Sequence, residues 1–208
     1  MPGAGPLANY FSGEPDWPPM VSYSHVAEDG KRYLFREPAP GEARKYMRFI
    51  NSFVGEPMSG LLMDRKISLK EEEAWLDSVV RGVRSRKVVM LSVERGGRIM
   101  GNCHVERLPW KHSHRAVIGI AVSAELRGVG VGEALMRKTL EMAARRLRGV
   151  ESVDLSAFDY NGRALSLYRK LGFEEYGRIP RSAKEGDRYF DEVLMRLELP
   201  LHDRPRKG

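Results

Sequence analysis

The run Arg127-Gly128-Val129-Gly130-Val131-Gly132 joins an apolar stretch at 117–122 to a helical pattern that starts near Val131. Nothing else in the chain restricts the backbone as strongly. A glycine-rich turn between a strand and a helix lets the main chain approach a ligand closely. The unpaired N–H groups of the first helical turn point outward there, and the helix dipole favours negative charge. The arginine ahead of the glycines adds a cation. Residues 127–132 are therefore expected to hold a di- or polyphosphate group, the alternative being a turn needed only for packing. The spacing is not Gly-x-Gly-x-x-Gly and no Gly-Lys-Ser/Thr follows, so the dinucleotide and P-loop readings both fail.

Around this turn the periodicities give a regular alternation of elements. Residues 31–37 read as a short strand ended by Pro38-Ala39-Pro40, and 42–54 as a helix through Ala43, Tyr46, Met47, Ile50 and Val54. Residues 55–66 read as a loop. Ser68 with Glu71 three residues on forms a capping box, predicting a helix to about Ser85. Strands at 88–94 and 98–108 flank the hairpin signal Gly96-Gly97. The strand at 115–122 leads into the glycine turn. The next helix carries Met136, Leu140, Ala143 and Leu147 on one face and stops at Gly149. A strand at 152–158 and a helix at 161–171 follow. Strands at 173–178 and 188–199 finish the pattern, joined by a charged loop at 179–187. The first 29 residues are set apart as a leader, its first 20 rich in Pro and Gly. Residues 30–200 form one domain and 201–208 a polar tail.

Two blocks carry a resemblance. Ile120-Ala121-Val122-Ser123-Ala124-Glu125-Leu126 with the following Arg-x-x-Gly-x-Gly is similar to the acetyl-CoA motif of the GNAT N-acetyltransferase superfamily. About 30 residues on, Asn161-Gly162-Arg163-Ala164-Leu165-Ser166-Leu167-Tyr168-Arg169-Lys170-Leu171-Gly172-Phe173 resembles that family's helix after the fifth strand. The element order over 30–199 agrees. The resemblance implies an α/β (α+β) GNAT fold: a central mixed sheet of about seven strands, splayed between strands 4 (115–122) and 5 (152–158), with about four helices. Acetyl-CoA would lie in the wedge as cosubstrate. Its pyrophosphate would sit on Arg127, Gly128, Val129, Gly130, Val131 and Gly132. Its pantetheine arm would run beside the backbone of Ile120, Ala121 and Val122. Asn161 would lie near that arm or act as a helix N-cap, roles that are compatible. Tyr168 would be the general acid beside the leaving thiolate, or else a core aromatic.

The base is harder to read. Family members often carry a Glu on strand 4 or 5. Arg115–Val122 has no carboxylate, and Ser156 holds the position five before Asn161. Glu106, His112, His114, Asp154 and Asp159 are the substitutes available, with Glu106 and His114 favoured because they flank one connection. A site without a strong base would lean toward low-pKa amines: near pH 7.4 neutralising a lysine amine costs about 4 kcal/mol and an α-amine about 1 kcal/mol. The loops at 57–66, 108–114 and 179–188 are the expected walls of the acceptor site.

Composition bounds the rest. The net charge of +7 suits an anionic partner, and coenzyme A is one. No apolar run approaches the roughly 20 residues that span a bilayer, and the N-terminus lacks a signal-peptide pattern, so a cytoplasmic protein with no membrane partner is expected. Cys103 is the only cysteine, which excludes an internal disulfide, and no metal is expected. The acceptor is a primary amine on a small molecule or a protein, attacked directly in a ternary complex. Nucleic acid is not expected as a partner, and a homodimer is left open. Two rival readings are a non-catalytic CoA-binding sensor or scaffold and a basic nucleic-acid- or ribosome-associated binding protein.

Overall fold

The computed structural model describes residues 21–199 except 57, 59 and 62. The first 20 residues of the expected leader, and the polar tail, lie outside the described residues. The elements in chain order are β1 (Ser22–Val26), β2 (Arg32–Arg36), α1 (Ala43–Asn51), α2 (Leu69–Arg84), β3 (Val88–Arg95), β4 (Arg98–Arg107), β5 (Arg115–Val122), α3 (Val131–Arg146), β6 (Ser152–Phe158), α4 (Gly162–Lys170), β7 (Glu174–Glu185) and β8 (Arg188–Glu198). They form one sheet in the order β1-β2-β3-β4-β5-β6-β8-β7. No described helix is long and apolar enough to cross a membrane.

The sheet has eight strands rather than about seven. The additional one, β1, falls in the stretch read as leader and pairs antiparallel with β2 from Ser22–Arg36 to Val26–Arg32. Its residues alternate between exposed and half-buried, which leaves only a weak apolar signal. The charged loop expected at 179–187 is also corrected. Here β7 continues to Glu185 and meets β8 through a short turn at Gly186 and Asp187, with register shifts on the way. β7 is the edge strand and almost wholly exposed, so its charged side chains stay in water while its backbone pairs.

Alternation along the central strands sorts the core into two layers. Val89, Leu91 and Val93 of β3 point to a cluster built with Leu135, Met136, Leu140 and Ala143 of α3. Val88 and Met90 point the other way, to Tyr46 and Phe49 of α1 and Leu76, Val79 and Val80 of α2. The capping box at the start of α2 is formed: the Ser68 hydroxyl accepts from the Glu71 amide, and Glu71 accepts from the Ser68 amide at 2.8 Å.

All neighbouring strands run antiparallel except β5 and β6. These two are parallel and pair only at Arg115–Ser152, Ala116–Val153 and Val117–Asp154. Beyond Val117 they diverge, which is the splay expected from the resemblance. Asp154 pins the closed end of the wedge. It is 5% exposed, accepts from Arg115 Nε at 2.8 Å and from Arg196 Nε at 2.6 Å, and so ties β5, β6 and β8 together. Burial raises its carboxyl pKa, but the Arg196 and Arg115 hydrogen bonds outweigh this and hold it below the usual range.

Candidate active site

The splay leaves one edge of residues 118–122 without a strand. Main-chain N–H and C=O groups on such an edge call for a partner. They open onto a cavity of about 850 Å³, large enough for a cofactor arm and a small acceptor together. Two groups of residues line it. Ile120, Ala121, Val122, Arg127, Gly132, Asn161 and Tyr168 come from β5, the glycine turn and α4. Ile50, Phe53, Met63, Ile67, Glu72 and Trp75 come from α1, α2 and the loop between them.

The glycine turn has the geometry of an anion site. Gly128 and Gly130 have φ of 82° and 77°, a region open to glycine at little cost. Gly130 is the N-cap of α3, no side chain caps that helix, and the first helical hydrogen bond runs from the Ala134 amide to the Gly130 carbonyl. The amides ahead of Ala134 are therefore free of helical partners. Only Arg127 and Gly132 of the six turn residues line the large cavity. Val129 and Gly130 line a smaller hollow with Glu28, Arg137 and Lys170, and the Val131 side chain is buried in the core. Arg127 is not a free cation: its guanidinium donates to Glu56, clipping the end of the α1–α2 connection to the turn. An anion bound at the turn would therefore be held mainly by backbone amides and the helix dipole.

Asn161 caps α4, its Oδ1 accepting from the Ala164 amide at 3.2 Å, while it also lines the cavity. Tyr168 is 8% exposed and packs on Phe173 with ring centroids 6.1 Å apart. It belongs to the core and reaches the cavity as well. Burial, with a smaller contribution from Cys103, pushes its phenol up to about 12, so it keeps its proton at neutral pH. Cys103 is fully buried and its thiol is likewise pushed up to about 12 by burial, which makes it inert as a nucleophile.

None of the five candidate bases lines this cavity. Glu106 shares the β4 face that carries Asn102 and His104 but is exposed beyond the cavity rim. His112 and His114 are exposed in the connection before β5, where the His114 carbonyl accepts from the Glu151 amide at 2.6 Å. Asp154 is consumed by its two arginines, and Asp159 is exposed. Of the expected acceptor walls, only the 57–66 connection contributes, through Met58, Gly60, Leu61 and Met63; no residue of 108–114 or 179–188 does. Helices α1 and α2 take their place. Asn51 anchors the end of the connection, its Nδ2 donating to the Ile67 carbonyl at 2.9 Å and its Oδ1 accepting from the Ile67 amide at 2.7 Å.

Glu72, His104 and Glu192 are ionisable residues of the cavity that the sequence did not mark as site residues. Glu72, on the first turn of α2, is 6% exposed, and its side chain makes no hydrogen bond or ion pair among the described residues. Burial alone raises its carboxyl to about 7. His104 stacks over the backbone of Gly119: a Cβ at position 119 would fall 2.9 Å from its Cε1. Its buried Nδ1 has no hydrogen-bond partner, and burial lowers its pKa against a smaller opposing effect of Glu106. Glu72 has a readable signal: with Leu76, Val79 and Val80 it follows the i, i+4, i+7, i+8 spacing of the buried face of α2.

Comparison with known proteins agrees with this architecture. Residues 57–173 match the acetyltransferase (GNAT) family. The chain is 36% identical over 85 residues to the L-amino acid N-acetyltransferase of Escherichia coli, covering 41% of this chain and 52% of that one. It is 29% identical over 143 residues to the mycothiol acetyltransferase of Pseudarthrobacter chlorophenolicus, covering 66% of this chain and 41% of that one. The matched region thus spans about half the length of these relatives. The fold superposes on the crystal structure of a phosphinothricin acetyltransferase from Sinorhizobium meliloti in complex with acetyl-CoA. The TM-score is 0.71 at 16% identity, with 88% of this chain and 95% of the other covered.

Proposed function

Since the chain belongs to the GNAT acetyltransferase family, we propose that it transfers the acetyl group of acetyl-CoA to a primary amine by direct attack in a ternary complex. One observation carries this reading: a single cavity joins the free edge of β5, with Tyr168 and the glycine turn beside it, to the buried carboxylate of Glu72. Acetyl-CoA supplies an activated acetyl thioester, whose transfer makes an amide and releases the CoA thiol. The residues fit such a group. The first-turn amides of α3 suit its pyrophosphate, and the open edge at 118–122 suits an amide-bearing arm laid on like an extra strand.

Glu72 is the base in this reading, in place of Glu106 and His114. A carboxylate held near 7 by burial is half ionised at neutral pH and stands closer to the pKa of a bound ammonium than an ordinary carboxylate does, which suits it as the base. Tyr168 acts on the leaving sulfur. An ordinary thiol titrates near 8.5. A phenol near 12 therefore does not hand over its proton outright; it stabilises the thiolate as a hydrogen-bond donor. Against a non-catalytic CoA sensor, the carboxylate of Glu72 in the cavity favours the enzyme reading.

The test is release of free CoA thiol from acetyl-CoA in the presence of amines, in wild type and Tyr168→Phe. The substitution is expected to lower kcat about 10²-fold while the acetyl-CoA affinity changes little. A Tyr168→Phe enzyme with wild-type kcat, under conditions where chemistry limits the rate, would make Tyr168 a packing residue only.

A further inference from the structure

We propose that the part of the cavity lined by α1, α2 and their connection takes a primary amine carried on an apolar body and lacking a carboxylate, bound as its ammonium against Glu72. This rests on the acetyl-transfer reading and narrows it to a substrate class.

Shape and charge there both bear on the choice. Ile50, Phe53, Met63, Ile67 and Trp75 give it an aliphatic and aromatic wall, suited to an alkyl or arylalkyl group. Glu71 and Glu72 are its ionisable residues, and His104 of β4 lines the cavity as well. Glu71 is already matched: hydrogen bonds from Arg65 and Ser68 hold its carboxyl down to about 2. Glu72 is unmatched. A buried carboxylate with no partner is costly, and a ligand cation is the natural group to relieve it. His104, whose pKa is lowered mainly by burial, is neutral at physiological pH and so offers no positive charge.

The cavity's remaining charged residues are Arg127, Arg163 and Glu192. Arg127 belongs to the glycine turn and is paired with Glu56; Arg163 sits in the first turn of α4 beside Asn161. Neither cation belongs to α1, α2 or their connection. With Arg127 already paired and Arg163 exposed on α4, a substrate carboxylate beside Glu72 would find no buried, unpaired cation among the described residues of the lining. Free amino acids, the acceptors named for the Escherichia coli relative, are disfavoured on this ground. A second ammonium, as in a polyamine, would meet apolar walls and Glu71, which Arg65 already pairs.

Phenethylamine and L-phenylalanine share one side chain and differ by the carboxylate, so they isolate the effect. Binding of each to the full chain saturated with CoA is measured by titration calorimetry, and CoA release from acetyl-CoA is measured in parallel. Phenethylamine is expected to bind at least about tenfold more tightly, the cost of burying a second carboxylate beside Glu72. Glu72→Gln should bring the two within about threefold of each other, since the repulsion is gone. Equal or tighter binding of phenylalanine to the wild type overturns the inference, and that comparison needs no variant. So does an unchanged ratio in Glu72→Gln, tighter binding of spermidine than of phenethylamine, or no binding of any amine. Preferential acetylation of phenylalanine would overturn this substrate class and leave acetyl transfer standing. Selective amine binding without CoA release would do the reverse.

Discussion

Gly130→Glu should weaken acetyl-CoA binding by about 10³-fold or more, roughly 4 kcal/mol, in a chain that still folds. Three effects act together. Residue 130 has φ of 77°, which costs a non-glycine residue on the order of 1 kcal/mol or more. A Cβ there would fall 2.8 Å from Oε1 of Glu28, so that side chain must move. The third effect decides the outcome, because the new carboxylate would lie at the N-terminus of α3, where the amides and the helix dipole await an anion. Strain and the Glu28 contact affect stability, and melting temperature reports them. Charge at the anion site affects binding, and calorimetric titration with acetyl-CoA reports it. A folded variant with unchanged acetyl-CoA affinity would remove the turn from the binding site.

Glu72→Gln should lower kcat/KM by about 10²-fold or more at pH 7 and at the same time stabilise the fold. The sign of the stability effect follows from the raised pKa. In the unfolded chain the carboxyl titrates near 4.3, so it is ionised from about pH 5 upward, whereas in the folded chain it resists ionisation until about 7. Between those values the unfolded state binds fewer protons, and wild-type stability falls as pH rises. Above about 7 both states are ionised and the penalty is constant. Glutamine does not titrate. Its stability advantage over glutamate should therefore grow by about 2 kcal/mol between pH 5 and pH 8, measured by urea unfolding. An advantage that stays constant with pH would mean that Glu72 titrates normally and is not desolvated.

The sequence made the scaffold legible because its elements are set by local signals. The capping box at Ser68, the Gly96-Gly97 hairpin and the glycine turn each fix an element end through a few adjacent residues, and all three appear as read. What was missed depends on distant contacts or on weak patterns. β1 is short and half exposed, and β7 is an exposed edge whose charges mimic a loop. The residues proposed for the cofactor were readable because Asn161, Tyr168 and the turn lie within motifs. The proposed base was not. Glu71, Glu72 and Glu73 look alike in sequence, and a run of acids in a first helical turn is ordinarily solvated. Only the register against Leu76, Val79 and Val80 turns Glu72 inward. Glu106 and His114 were favoured for flanking one connection, but that connection lies at the end of β5 where the wedge is closed. His104 could be read only once β4 is laid against β5, where it faces Gly119.

The most direct measurement is kcat/KM against pH from 5.5 to 9.5 for phenethylamine with acetyl-CoA, in wild type and in Glu72→Gln. An alkylamine titrates near 10, as lysine does at about 10.4, so unassisted attack would climb tenfold per pH unit across the whole range. The wild type is expected to rise through an inflection near 7, as Glu72 ionises, and to stay flat above it. The glutamine variant is expected to fall below it and to climb without a plateau. Superimposable profiles that both climb to pH 9.5, or no amine-dependent release of CoA by the wild type, would contradict a cavity in which Glu72 deprotonates the acceptor.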